Sequence, residues 1–147
     1  MKMMICLFVA VSLYANSITC KVVNVSDGDT VTVLCDKNDQ IKLRLFGIDA
    51  PEKKQAYGQK SKQALSSMIA AQEVQIVTHG HDRYSRTIAT IFLNDVDINA
   101  EQVKNGMAWA YVKYSKKYVL LEEAARKERV GLWNDNNPTP PWEWRKK

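Results

Sequence analysis

At 147 residues the chain suits one domain, with one ordinary hydrophobic core and no length left over that calls for a second. Lys and Arg number 21 against 16 Asp and Glu, a net charge of +5, which suits a polyanionic partner without by itself identifying one. No internal repeat and no low-complexity tract is present, so repeat architectures are excluded. In chain order, Lys2 followed by MMICLFVAVSLYA is a short basic region and an apolar run too short to cross a bilayer, the pattern of a cleaved export signal. Cleavage is placed after Ala15, and a lipoprotein signal is ruled out because neither Cys6 nor Cys20 follows a small-residue stretch at the end of the apolar run. Removing 1–15 takes away one lysine, leaving 20 basic against 16 acidic residues, +4. The expected organisation is a signal at 1–15, a folded domain at 16–137 and a tail at 138–147. The product is expected to be secreted or periplasmic, with no stable membrane insertion.

Residues 27–52 organise the rest. Asp27-Gly28 is a strong hairpin-turn dipeptide, because Gly accepts positive φ and Asp can bond its own backbone, which puts Asp29 at the start of a strand. Val31 and Val33 alternate with Thr30 and Thr32, and Ile41, Leu43 and Leu45 alternate with Lys42 and Arg44, the period of half-buried strands. Arg44 therefore points away from its leucine neighbours. The third strand stops at GIDAPE, where Pro51 ends regular pairing. If Asp27-Gly28 is a two-residue loop, Ser26 faces Asp29, Val22 faces Val33 and Cys20 faces Cys35. In an oxidising compartment that register predicts a Cys20–Cys35 disulfide, in a pair with Cα atoms about 5.5 Å apart, stabilising by at most roughly 3 kcal/mol. Two free thiols packed side by side are the alternative.

After a polar link at 53–56, Leu65, Met68 and Ile69 recur at helical spacing. Residues 74–77 read as a strand, THGH as a loop in which His79 and His81 take no metal role, and 87–93 as a further strand. Residues 97–106 read as a helix that Asp97 caps and Gly106 stops. Residues 116–129 read as a charged helix with Val119, Leu120 and Ala124 on its apolar side. The tail PTPPWEWRKK reads as an extended segment, either folded back on the domain or free to touch a partner.

The chemistry is carried by carboxylates and arginines. A hairpin plus a third strand brings Asp29 and Asp49 to one end of a small sheet, two hard oxygen donors for a cation such as calcium. Glu52 beside them is a candidate general base for water, and Arg44 a candidate donor to a phosphate. That set points to phosphodiester hydrolysis, although DGD alone is more often only a turn, and the spacing excludes an EF-hand loop.

The run DGDT, then an arginine, then IDAPE resembles the staphylococcal nuclease (thermonuclease) family, and the resemblance continues through DRYSR, NGMAWAYVKY and RVGLW, over almost all of the chain after residue 17. It implies a β-barrel plus α architecture, a five-stranded OB-fold barrel with about three packed helices. It also implies a calcium-dependent endonuclease acting on DNA and RNA, here expected to be a monomer. By motif, Asp29 and Asp49 resemble the side-chain Ca2+ ligands and Ala50 the main-chain ligand, Glu52 the base, and Arg44 and Arg86 the phosphate-holding arginines. Tyr111 resembles the residue that stacks on a base, with Tyr114 as its rival, while Arg83 and Tyr84 resemble contacts to a neighbouring phosphate. The family usually has Gly where Ser85 stands, a position that strains serine if it needs positive φ. A non-catalytic OB-type nucleic-acid-binding module is the alternative, but binding alone does not require the two aspartates, Glu52 and both arginines together.

Overall fold

Apolar side chains at every second position wind five strands into a closed barrel. The computed structural model describes residues 16–147, so the expected signal at 1–15, with Cys6, lies outside the described residues. Strands β1 (Ile18–Asp27), β2 (Thr30–Leu34) and β3 (Gln40–Leu45) form an antiparallel meander, β5 (Glu73–His81) pairs with the other side of β1, and β6 (Thr87–Leu93) pairs with β5. Parallel pairing of β6 with β3, Leu43 opposite Thr87 and Arg44 opposite Ile88, closes the ring. Val22, Val31, Val33, Leu43, Leu45, Val74, Ile76, Ala89 and Ile91 fill it, all at most 1 % exposed. Each such aliphatic side chain larger than alanine contributes roughly 1.5–3 kcal/mol on burial. The short β4 (Ile48–Asp49) leaves the barrel to pair with β8 (Trp109–Ala110), and β7 (Val96–Asp97) turns back to pair antiparallel with the end of β6.

The β1–β2 hairpin differs in detail from the expected register. Its loop is Gly28-Asp29, with Asp27 opposite Thr30, and two irregularities in β1 restore the alignment so that Val22 faces Val33 as expected. Cys20 and Cys35 are therefore bonded, with Cα atoms 4.4 Å apart rather than at the wider spacing expected, since Cys35 lies just beyond the last regular pair of β2. Gly28 is not in the positive-φ region. What it supplies is close approach, because a Cβ there would lie 1.8 Å from the Ser61 hydroxyl oxygen and 2.8 Å from the Ala50 Cβ. Gly28→Ala is thus expected to cost roughly 1–3 kcal/mol by overpacking and to lower the melting temperature; an unchanged melting curve would contradict this packing.

Three helices cover the barrel: α1 (Gly58–Ile69), α2 (Ile98–Lys104) and α3 (Val119–Glu128), followed by a single turn, α4 (Pro141–Trp144). Leu65 and Ile69 of α1 are buried. The α2 cap is as expected, the Asp97 carboxylate accepting from the Ala100 N–H at 2.9 Å, and Gly106 follows the helix at φ +68, where its Cα also approaches the Val130 carbonyl too closely for a side chain. Gln102 is buried and its amide donates to the Gly28 and Ser61 carbonyls at 2.9 and 3.1 Å, tying α2 to α1 and to the turn that carries Asp29. No helix among the described residues is long and apolar enough to cross a membrane.

Three other expectations need correction. THGH is strand, not loop: β5 continues to His81, because the His79 ring stacks on Phe46 at 4.1 Å and sits 2.8 Å from the Thr90 hydroxyl. Val119 packs against the core as expected, but the inward face of α3 is otherwise carried by Leu121 and Ala125, next to the buried Tyr118, whereas Leu120 is 77 % exposed and Ala124 is exposed. Leu120 and Ala124 share one face of the helix and Leu121 and Ala125 the adjacent one, and it is the second that the barrel and α2 cover. The tail is not extended throughout, since α4 folds back with Pro141 buried.

Candidate active site

The turn after β1, the end of β3 and the short β4 converge on one cluster. Asp29, in the hairpin loop, is 6 % exposed, and Asp49, in β4, 1 % exposed. Asp29 Oδ2 accepts from the Ala50 N–H at 2.7 Å and Oδ1 from the Thr30 hydroxyl at 3.1 Å. Arg44, pointing outward from β3, reaches both carboxylates through Nη2, at 3.3 Å from Asp29 and 3.2 Å from Asp49. Its Nη1 donates to the Leu45 and Ile48 carbonyls, both at 2.9 Å. The guanidinium is consequently fixed by main chain and carboxylate together.

Glu52 lies just beyond β4. Its backbone N–H donates to the Gln55 side-chain oxygen at 3.1 Å, and the Gln55 amide donates to the Thr139 carbonyl, fastening the tail to the segment that carries Glu52. Arg145 completes the cluster. Its two terminal nitrogens donate to both oxygens of Asp49, at 3.1 and 2.8 Å, and one of them also donates to Glu52 Oε1 at 2.8 Å. Sequence reasoning did not find Arg145, because nothing in a terminal WRKK run distinguishes one basic residue from the next.

The remaining candidates fall into two neighbouring groups. Arg86 pairs through Nε with Asp82 at 2.7 Å, and the guanidinium groups of Arg83 and Arg86 lie over the ring of Tyr84, which is 65 % exposed. Ser85, at the corner of that turn, takes φ 61, the strained position anticipated for it. The β3–β6 register places Arg86 one residue before the strand that lies beside Arg44, but its ionic partner is Asp82, not the carboxylates. Tyr111 stacks on Trp142 at 5.5 Å and 13° and meets Tyr114 edge-on at 5.0 Å, so both tyrosines belong to one aromatic group.

The electrostatics mark the carboxylate cluster as unbalanced. Burial opposes the charge on Asp29, yet the Arg44 guanidinium, the Asp27 carboxyl and the Ala50 and Thr30 donors hold its carboxyl below the ordinary range. Asp27 is pushed up to about 7, first by burial and then by the charge of Asp29. Burial also pushes Asp49 up, against the pull of Arg145 and Arg44. Oxygen-only donors with surplus negative charge fit a hard divalent cation. Among the described residues no three His, Cys, Asp or Glu side chains group around one ion position, so main-chain carbonyls and water must supply the rest of such a shell.

The same shifts predict a pH dependence. Folded Asp27 keeps its proton up to about 7, whereas the unfolded chain releases it near 3.8, so over that window the folded state binds more protons and stability falls as pH rises. Asp49, also raised, adds in the same direction. Cation-free protein is expected to melt at a lower temperature at about pH 8 than at about pH 5, and Asp27→Asn to flatten the slope; a rising melting temperature over that interval is the contrary result.

Residues 42–135 match the family model described as staphylococcal nuclease homologue. Over 130 residues the chain is 50% identical to an uncharacterized endonuclease of Haemophilus influenzae, spanning 87% of this chain and 73% of that protein. It is 40% identical to a micrococcal nuclease of Shigella flexneri, over 86% of this chain and 79% of the relative. In both cases the similarity runs through most of each protein. A staphylococcal-like nuclease of Arabidopsis thaliana, CAN1, is 39% identical over 73% of this chain and 34% of its own length.

Proposed function

The chain belongs to the staphylococcal nuclease homologue family, and from that premise we propose that it is a calcium-dependent endonuclease, secreted or periplasmic, that hydrolyses phosphodiester bonds of DNA and RNA. That it is a nuclease follows from the family and from relatives named as endonuclease and micrococcal nuclease. The observation that carries the finer reading is the meeting of Asp29, Arg44, Asp49 and Glu52 in one partly buried cluster, with Arg44 bonded to both aspartates and Glu52 joined to Asp49 through Arg145.

In this reading Asp29 and Asp49, with the Ala50 carbonyl, hold the cation. Bound there, a divalent ion supplies positive charge against a phosphate oxygen and a site for water. Glu52 takes the proton from the attacking water as general base. Arg44 donates to the phosphate as its charge grows, and because two main-chain carbonyls already hold the guanidinium, little reorganisation is needed at that moment. Arg86 is the second phosphate donor, released from Asp82 or sharing it. Arg83 and Tyr84 contact a neighbouring phosphate, and Tyr111 offers a ring to a base. Such stacking contributes roughly 1–3 kcal/mol per base and accepts any base, consistent with action on both DNA and RNA. The Cys20–Cys35 bond supports an oxidising compartment.

The test is cleavage of labelled single-stranded DNA and of RNA by the protein beginning at residue 16, with calcium or with chelator. Internal cuts with calcium and none with chelator are expected. Undiminished cutting in chelator would remove the cation from the reading, and a gel shift without cutting in calcium would leave a binding module.

A further inference from the structure

The tail is built onto the cluster. Pro141 is buried, the Trp142 ring lies flat against Tyr111 and edge-on to Trp109 at 5.4 Å and 77°, and Gln55 links the Thr139 carbonyl to the Glu52 backbone. These contacts set α4 where Arg145 faces Asp49 and Glu52. The guanidinium then takes both oxygens of Asp49 and one of Glu52, all within 3.1 Å. A planar fork suits this task, since it binds two carboxylate oxygens at once and bridges to a third.

We propose that Arg145 is an internal competitor of the divalent cation: it occupies the carboxylate oxygens of Asp49 that the cation needs, and it must leave them for the cation to bind. The inference rests on the reading of Asp49 as a cation ligand. Two features make the arginine displaceable rather than a permanent partner. Its side chain is 41 % exposed although Asp49 is 1 % exposed, and an ion pair open to water on one side is weak compared with chelation of a divalent ion by several oxygens. The pairing also engages Glu52, so the same guanidinium that covers the ligand holds the base. Until Arg145 leaves, the ligand and the base are both occupied, and Tyr111 is covered on one face by Trp142, so the tail links cation binding to exposure of the whole site. A ligand that meets a site only when a competing group is absent shows an affinity reduced by the free fraction. An arginine seated roughly 90 % of the time lowers apparent calcium affinity about 10-fold.

The experiment is calorimetric titration of calcium into the protein without nucleic acid, with folding followed by far-UV circular dichroism. Arg145→Gln is expected to bind calcium about 10-fold more tightly than the parent protein. Arg145→Lys keeps the charge but cannot span three oxygens, and is also expected to bind more tightly, by a smaller factor. Lys146→Gln removes the same charge from an exposed neighbour that pairs with Glu143, and should leave the affinity unchanged. Trp142→Ala, which loosens the turn while keeping the arginine, gives a second route to tighter binding. Equal or weaker calcium binding in Arg145→Gln and Arg145→Lys overturns the competition while leaving the cation reading intact. So does an affinity that rises equally in Arg145→Gln and Lys146→Gln, because that is a charge effect alone. No calcium binding in the parent protein or any variant overturns both, and loss of binding in Asp49→Asn locates the cation at this carboxylate.

Discussion

Replacing Glu52 by glutamine is expected to lower turnover by ~10²–10⁴-fold, the usual loss when a positioned general base is removed, while leaving nucleic-acid binding close to that of the parent protein. The geometry separates the two readouts. The Glu52 side chain is 37 % exposed and its backbone, not its carboxylate, makes the fixed bonds to Gln55. Glutamine keeps the shape and can still accept from Arg145, so the fold has little reason to change. What disappears is the capacity to take a proton from water. Single-turnover cleavage and a gel shift on the same oligonucleotide check both halves, and an unchanged cleavage rate removes Glu52 from the chemistry.

Arg44→Lys is expected to cost ~10²–10³-fold in turnover, the scale seen when one donor to a developing negative charge is lost, and to cost stability as well. Arg44 uses one terminal nitrogen for the Leu45 and Ile48 carbonyls and the other for Asp29 and Asp49. An ammonium has the charge but is a single point, and it cannot reach all four acceptors from one position. The carbonyls it releases and the less compensated Asp29 carboxylate both disfavour the folded state, so the melting temperature falls alongside the rate. Arg86→Lys is the informative contrast. Arg86 has one ionic partner, Asp82, on the rim of the barrel, so its replacement should slow cleavage with little effect on melting. If both lysine variants retain parental turnover, the arginines are surface charges and the phosphate is held elsewhere.

The parts of the site that were legible in the sequence lie on strands or at the turns between them. Asp29, Arg44 and Asp49 sit at fixed distances along two strands and a turn, and antiparallel pairing allows few ways to arrange them. The Cys20–Cys35 bond was legible for the same reason, and it survives two irregularities because their shifts accumulate to restore the register. The Arg86 pairing with Asp82 was not legible: a five-residue turn leaves several partners within reach. Gly28 was placed correctly in a turn but for the wrong reason, since its lack of a side chain serves contact with Ser61 of α1, 33 positions along the chain.

By itself the sequence determined the alternation that sends Val31, Val33, Leu43 and Leu45 inward and Arg44 outward, because a strand's side chains alternate whatever it pairs with. It also determined the α2 cap at Asp97, where acceptor and donor are three residues apart. Only the tertiary structure decided which face of α3 is buried, since Leu120 and Ala124 on one face and Leu121 and Ala125 on the next are both apolar, and packing against the barrel and α2 selects between them. Only the tertiary structure, too, brought Arg145 to Asp49 and Glu52, contacts separated by 96 and 93 positions. No local periodicity encodes such a meeting; it depends on where Pro141 and Trp142 find a surface to pack against, and that surface exists only once the barrel and its helices have closed.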